Sequence, residues 1–120
     1  MRKVLIGGAA LAVLLTVAGP AMAQERDIRQ ARRHMEAGQE YFLQERWENA
    51  AEEFMAAFEL RPHTAFLFNA ALAYHRLGNV SEALSLYRRY IDEAPNARDR
   101  ARVEESIRLL ERAAATQPTE

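Results

Sequence analysis

From residue 24 onward, apolar residues return at intervals of three and four and β-branched residues are scarce, the pattern of helices that each bury one face. Breaks in that pattern divide the segment into five. Asp27, with Gln30 three positions on, has the form of an N-cap and capping box for a first helix that runs to about Gln44. Trp47 to Leu60 reads as a second helix, closed by Arg61-Pro62. A third, from about Thr64 to Leu77, ends at Gly78, which is free to adopt positive φ. Asn79 with Glu82 caps a fourth that ends near Ala94-Pro95. Asn96 with Asp99 opens a fifth that runs to about Ala115, and residues 116–120 are expected to be disordered.

The two halves of this pattern match each other. Gly38 and Ala71 are 33 positions apart, and so are Tyr41 and Tyr74, Ala50 and Ala83, Phe54 and Tyr87, Ala57 and Tyr90, and Pro62 and Pro95. Small residues at Gly38, Ala50, Ala71 and Ala83 let antiparallel helices approach closely. The aromatics Tyr41, Phe54, Tyr74 and Tyr87 are then expected to fill the space between neighbouring hairpins.

These positions carry a resemblance to the tetratricopeptide repeat (TPR), a helix-turn-helix unit of about 34 residues. The first unit matches at Ala37, Gly38, Tyr41, Trp47, Ala50, Phe54, Ala57 and Pro62. The second matches at Leu67, Ala70, Ala71, Tyr74, Gly78, Ala83, Tyr87 and Pro95. Two residues depart from the pattern: Tyr90 stands where a small residue is usual, so the last hairpin is expected to pack against the fifth helix, and Glu45 stands where the turn usually has Gly. The resemblance implies an all-α protein, an α-solenoid of two hairpins at 31–63 and 64–97, with a lead-in at 24–30 and a capping helix at 98–115. In that helix Val103, Ile107, Leu110 and Ala114 form the covering stripe, and Arg100/Glu104 and Glu104/Arg108 pair on the other side.

The resemblance also implies a job: holding a protein or peptide partner on the concave surface, without catalysis and without a cofactor. Positions of the first helix that point into such a groove are Arg32, Met35, Gln39 and Phe42. On the third they are Ala65, Phe68, Leu72 and His75 or Arg76. The third helix is apolar nearly all round, since Phe66, Phe68 and Leu72 add to a packing face of Leu67, Ala70, Ala71, Tyr74 and Leu77. Either the first and fifth helices cover the excess, or Met35, Phe42, Phe68 and Leu72 stay partly open to receive an apolar segment. Some members of the family grip a C-terminal carboxylate with Lys, Asn and Arg side chains on three successive hairpins. Asn69 matches the Asn, and Arg102 lies on the following helix, but Met35 and Gln39 replace the first cation and amide, which argues against that clamp. Two repeats are fewer than the three usual in such arrays, so a homodimer through the open end near residues 24–44 is the alternative.

The amino terminus adds a location. Arg2-Lys3, the apolar run Val4 to Val17 and the small residues Ala21 and Ala23 have the layout of a secretory signal peptide over residues 1–23, with cleavage expected after Ala23. The other reading is a retained anchor, since Val4 to Ala23 spans 20 residues. Gly19-Pro20 and the short apolar core favour cleavage, followed by a periplasmic or extracellular location and no membrane contact thereafter. The run from Tyr87 through Pro95 to Leu110 resembles the ending of many small exported bacterial TPR proteins.

Charge and residue types narrow the chemistry further. Residues 24–120 hold 14 Arg, no Lys and 17 acids, a formal charge of −3, and nothing in that balance draws the protein to nucleic acid. Arg98, Arg100 and Arg102 are interrupted by Asp99, Glu104 and Glu105. The chain has no cysteine, so it has no disulfide, thiolate metal site or lipid-bearing Cys. His34, His63 and His75 lie at no metal-binding spacing, and Ser81, Ser85 and Ser106 sit in no glycine-rich elbow. Adjacent acids such as Glu52-Glu53 and Glu104-Glu105 point apart on a helix, as a solvated surface does.

Overall fold

A computed structural model describes Lys3 and residues 19–117, and these form five α-helices with no strand among the described residues. They are α1 (Pro20–Leu43), α2 (Trp47–Leu60), α3 (Thr64–Leu77), α4 (Val80–Glu93) and α5 (Arg100–Thr116). Each packs principally on its neighbours in sequence, so that α1/α2 and α3/α4 make two hairpins and α5 lies against α4. The second, third and fourth helices have the expected bounds. Asn79 caps α4 as expected, its Oδ1 accepting from the Glu82 backbone N–H at 3.2 Å.

The first helix starts earlier than Asp27 suggests. Gly19 is its N-cap in an extended conformation and Pro20 is its first residue. Proline lacks the N–H that a first helical turn leaves unbonded, and its fixed φ is already helical, so Pro20 opens the helix it was expected to break. Residues 24–30 therefore belong to α1, and Asp27 lies inside the helix with no capping role. Of the proposed signal peptide, Lys3 and residues 19–23 are described; residues 1, 2 and 4–18 lie outside the described residues. No described helix is long and apolar enough to cross a membrane.

Both hairpin turns are built the same way. At the end of α1 the Arg46 N–H bonds to the Tyr41 carbonyl and the Glu45 N–H to that of Phe42. At the end of α3, Asn79 bonds to Tyr74 and Gly78 to His75 in the same pattern. Each satisfies helix-end carbonyls through a left-handed residue, Glu45 at φ 60° and Gly78 at φ 84°. The 33-residue repeat read from side chains is thus repeated in backbone geometry.

The core is a seam of alanines filled out by aromatics. Ala50, Ala51, Ala57, Ala70, Ala71, Ala73 and Ala83 are fully buried, and Phe54, Phe58, Phe66, Tyr87 and Tyr90 are buried around them. Tyr41 and Tyr74 are only partly buried, so the aromatic filling comes mainly from α2 and α4. Leu77, assigned to the packing face of α3, is 42% exposed because α3 ends there and nothing continues over it.

The junction to α5 differs most from expectation. Asp99, not Asn96, precedes the helix, and residues between Ala94 and Arg100 form successive turns. The Asp99 carboxylate does not cap; it accepts a hydrogen bond from the Tyr90 hydroxyl at 2.8 Å. Tyr90 therefore reaches the fifth helix's start, as its departure from the small-residue pattern suggests. Val103 and Leu110 of α5 are buried and Ile107 partly so, whereas Ala114 is exposed. Arg100 pairs with Glu104 at 2.8 Å, but Arg108 pairs with Glu105 and not Glu104, whose carboxylate is already engaged. Thr116, expected in the tail, is the last residue of α5, and residues 118–120 lie outside the described residues.

Candidate functional site

The α1 residues Ile28, Arg32, Met35, Gln39 and Phe42 recur at three- and four-residue intervals and so share one stripe, which lines two cups shared with α3. The cup toward the carboxyl end of α1 has a volume of about 400 Å³. Gln39, Phe42 and Leu43 come from α1, Asn69 and Leu72 from α3, and Phe54 of α2 contributes a wall.

Local structure explains why this cup stays open. Phe54 must lie close to α1, and Gly38 permits it: a Cβ there would meet the ring at 2.8 Å. Phe42 is held edge-on against Trp47, with ring centroids 4.8 Å apart at 74°, so it leans toward α2 and leaves the cleft unfilled. Leu43 is the last residue of α1 and is 80% exposed, because the chain turns away at Glu45 before any element can cover it. Gln39 and Asn69 bring side-chain amides from the two helices, each able to donate and accept, as a peptide backbone requires.

The second cup, of about 230 Å³, lies toward the amino end and is lined by Ile28, Arg32 and Met35 of α1 with Arg61, His63 and Phe66. The structure thus brings Arg32, Met35, Gln39, Phe42, Asn69 and Leu72 onto one α1–α3 cleft. It does not bring the other expected residues there. Phe68 is partly buried and packs on α4, with centroids 6.1 Å from Tyr87 and 5.6 Å from Tyr90. His75 also turns to α4: its Nδ1 lies 3.3 Å from the Tyr87 hydroxyl, and burial, with the neighbouring Arg76 charge, pulls its pKa below the ordinary histidine value. Arg76 is exposed and lines neither cup, and Arg102 is exposed on α5, which packs on α4.

Met35, Phe42 and Leu72 line the open cleft, as the second reading of the apolar excess on α3 expects, whereas Phe68 does not, and the expected cover by the first and fifth helices is not what the fold provides. Met35, Phe42, Phe68 and Leu72 are all partly buried, but the cover over Phe68 comes from tyrosines of α4 instead of from α1 or α5. Phe66, part of that excess, is buried against His63. Ile28, Ala31, Leu43, Phe54, Arg61, His63 and Phe66 also line the cups, although the sequence pattern does not mark them as groove positions. A leucine at the last position before a turn is a usable signal for Leu43; Phe54 reads as a packing residue between the helices, and Arg61 and His63 look like ordinary turn residues until the loop is placed.

No group of three or more His, Asp or Glu that could hold a metal ion occurs among the described residues. His34 and Glu53 meet at 2.6 Å across α1 and α2, a contact that ties the hairpin together at its surface. Comparison with known sequences matches the tetratricopeptide repeat model to residues 35–98, the span that holds both turns and most of the cleft. No curated protein and no solved structure matches the chain. With two equivalent hairpins, paired left-handed turns and a family model covering more than half of its length, this chain belongs to the tetratricopeptide repeat family.

Proposed function

We propose that this TPR protein is an exported, non-catalytic adaptor that holds a peptide or helix of a protein partner in the cleft between α1 and α3. TPR repeats generally mediate protein–protein interaction, and the family is typically a non-catalytic module. The observation that carries the reading here is the cup of Phe42, Leu43, Phe54 and Leu72, with the amides of Gln39 and Asn69: apolar depth to anchor a side chain, and polar groups suited to a backbone. Leu43, at 80% exposure, gains most by being covered.

The envelope location rests on the amino-terminal pattern of Arg2-Lys3, the apolar run and Ala21 and Ala23. Cleavage after Ala23 removes one exposed turn of α1 and nothing from the core. The intact mass of the protein from its native source tests this, with a chain starting at Gln24 expected; retention of residues 1–23 overturns export in the cleaved form.

A photo-cross-linking residue placed at Leu43, with a control at Arg112 on the exposed face of α5, tests the cleft in cells. Cross-links to a protein from position 43 and none from 112 are the expected result. Equal labelling from both sites removes the cleft from the account, and cross-linking only to a second copy of the chain supports the homodimer.

A further inference from the structure

The cup at the amino end of the cleft has a chemistry that the other cup lacks. Ile28 and Met35 of α1 and Phe66 of α3 supply apolar walls, and Arg32, Arg61 and His63 supply three nitrogen-bearing side chains. Phe66 is buried, and the His63 ring meets it at a centroid distance of 6.0 Å, which holds the imidazole beside the apolar surface. Arg61 ends α2 in extended backbone, and the His63 N–H bonds to its carbonyl at 2.7 Å across Pro62, so the loop carrying both side chains is tied.

No carboxylate lines this cup. Elsewhere Arg29, Arg88, Arg89, Arg100 and Arg108 each have a glutamate within 3.2 Å. Arg32 and Arg61 are among the nine of the 14 arginines in residues 24–120 that pair with no carboxylate among the described residues, and they are the two that border one apolar cup. An anion entering this cup therefore meets two guanidinium groups without having to displace a carboxylate from either. Guanidinium groups meet a carboxylate through paired hydrogen bonds, which makes a carboxylate the suited anion.

We infer that this cup takes an acidic side chain lying next to an apolar one in an extended segment of the partner. The apolar group seats against Ile28, Met35 and Phe66, and the carboxylate meets Arg32 and Arg61. This rests on the cleft being the binding surface, and names the chemistry it selects. The extended form follows from Gln39 and Asn69, since only a backbone not bonded to itself offers its N–H and C=O to two side-chain amides. Arg32 and Gln39 are seven residues apart on α1, about 10 Å at the helical rise. An extended chain covers that distance in about three residues. The preferred segment thus has an apolar anchor for the Leu43–Leu72 cup and an acidic–apolar pair about three positions away. The sites differ from a C-terminal carboxylate clamp: they lie on the first hairpin and its exit loop, and they read an internal side chain.

The test uses the full chain and fluorescent peptides blocked at both ends, of the form Leu-x-x-Asp-Leu with x varied, beside matched sets with Asn or Lys for Asp. A further arm carries Asn with a free C-terminal carboxylate. The Asp set is expected to bind about tenfold more tightly than the Asn set, the scale of one charge-assisted contact, with the margin shrinking as salt rises. In the double variant R32Q/R61Q the margin disappears, whereas L72S weakens both sets. Equal binding of Asp and Asn peptides, both weakened by L72S, overturns the acidic selection and leaves the cleft standing. Preference for the free-carboxylate arm over Asp overturns the internal reading, and binding by no set overturns selection and cleft together.

Discussion

The ring of Phe54 occupies the space that a side chain on Gly38 needs: a Cβ at position 38 would lie 2.8 Å from Phe54 Cε1 and 2.9 Å from Cδ1. The contact brings α1 and α2 together and sets Phe54 as a wall of the larger cup. Replacing Gly38 by Ala gains helix propensity of up to about 1 kcal/mol but forces a buried ring aside, at about 1–3 kcal/mol. G38A is therefore expected to lower the melting temperature by several degrees, and G38A/F54L to recover part of the loss. A G38A protein that melts higher than wild type would show that the ring moves freely.

Glu45 and Gly78 test the repeat in the backbone. They occupy the same left-handed position 33 residues apart, but only one is glycine. A side chain there costs about 1 kcal/mol. E45G is expected to stabilise the fold by about that amount and G78A to destabilise it similarly, since a Cβ on Gly78 meets nothing within 4 Å and only backbone strain remains. Urea unfolding of both variants reads this; the same sign for both would break the equivalence.

Tyr90 ties α4 to the turn before α5 through Asp99. Y90F keeps the buried ring and removes one hydrogen bond of 2.8 Å, at a cost of about 1 kcal/mol. Hydrogen exchange should rise in α5 while α2 and α3 keep their protection. Burial, then the bond to Asp99, raises the Tyr90 pKa. The neutral phenol is thus favoured in the folded state, and its contribution is fully present below pH 10 and lost as pH rises through the folded value. Y90F should flatten the alkaline end of the stability profile; an unchanged profile would count against this coupling.

His75 works in the other direction. Its pKa is lowered by burial, and less by Arg76, so the folded state favours the neutral ring. Stability from this group is present above pH 6.5 and lost as pH falls through the folded value. H75Q is expected to reduce the decline in melting temperature just below pH 6.5 relative to wild type. An identical decline in the two proteins would place the sensitivity elsewhere.

Leu43 separates binding from folding. It is exposed at the end of α1, so L43S should change stability by no more than about 0.5 kcal/mol. Capture of the native partner should nonetheless fall. Loss of folding in L43S, measured by circular dichroism, would mean that this leucine is structural.

Helix positions, the repeat and the family were legible in the chain because periodicity, caps and small-residue spacing are local properties. Trp47–Leu60, Thr64–Leu77 and the Asn79 cap needed nothing beyond their own neighbours in sequence. Boundaries moved where one residue type serves two ends: Pro20 stops a helix or starts one, and Asp99 caps a helix or receives Tyr90. Which residues line the cleft depended on long-range choices that no spacing carries. Phe68 and His75 share the helical register of Leu72, yet α4 presents Tyr87 and Tyr90 to them and draws them out of the cleft. Arg61 and His63, ordinary turn residues in the sequence, face Arg32 only because the α2–α3 loop returns to the first helix. Local bonding sets which backbone forms, whereas burial is settled by whichever distant surface arrives, and that requires the packed chain.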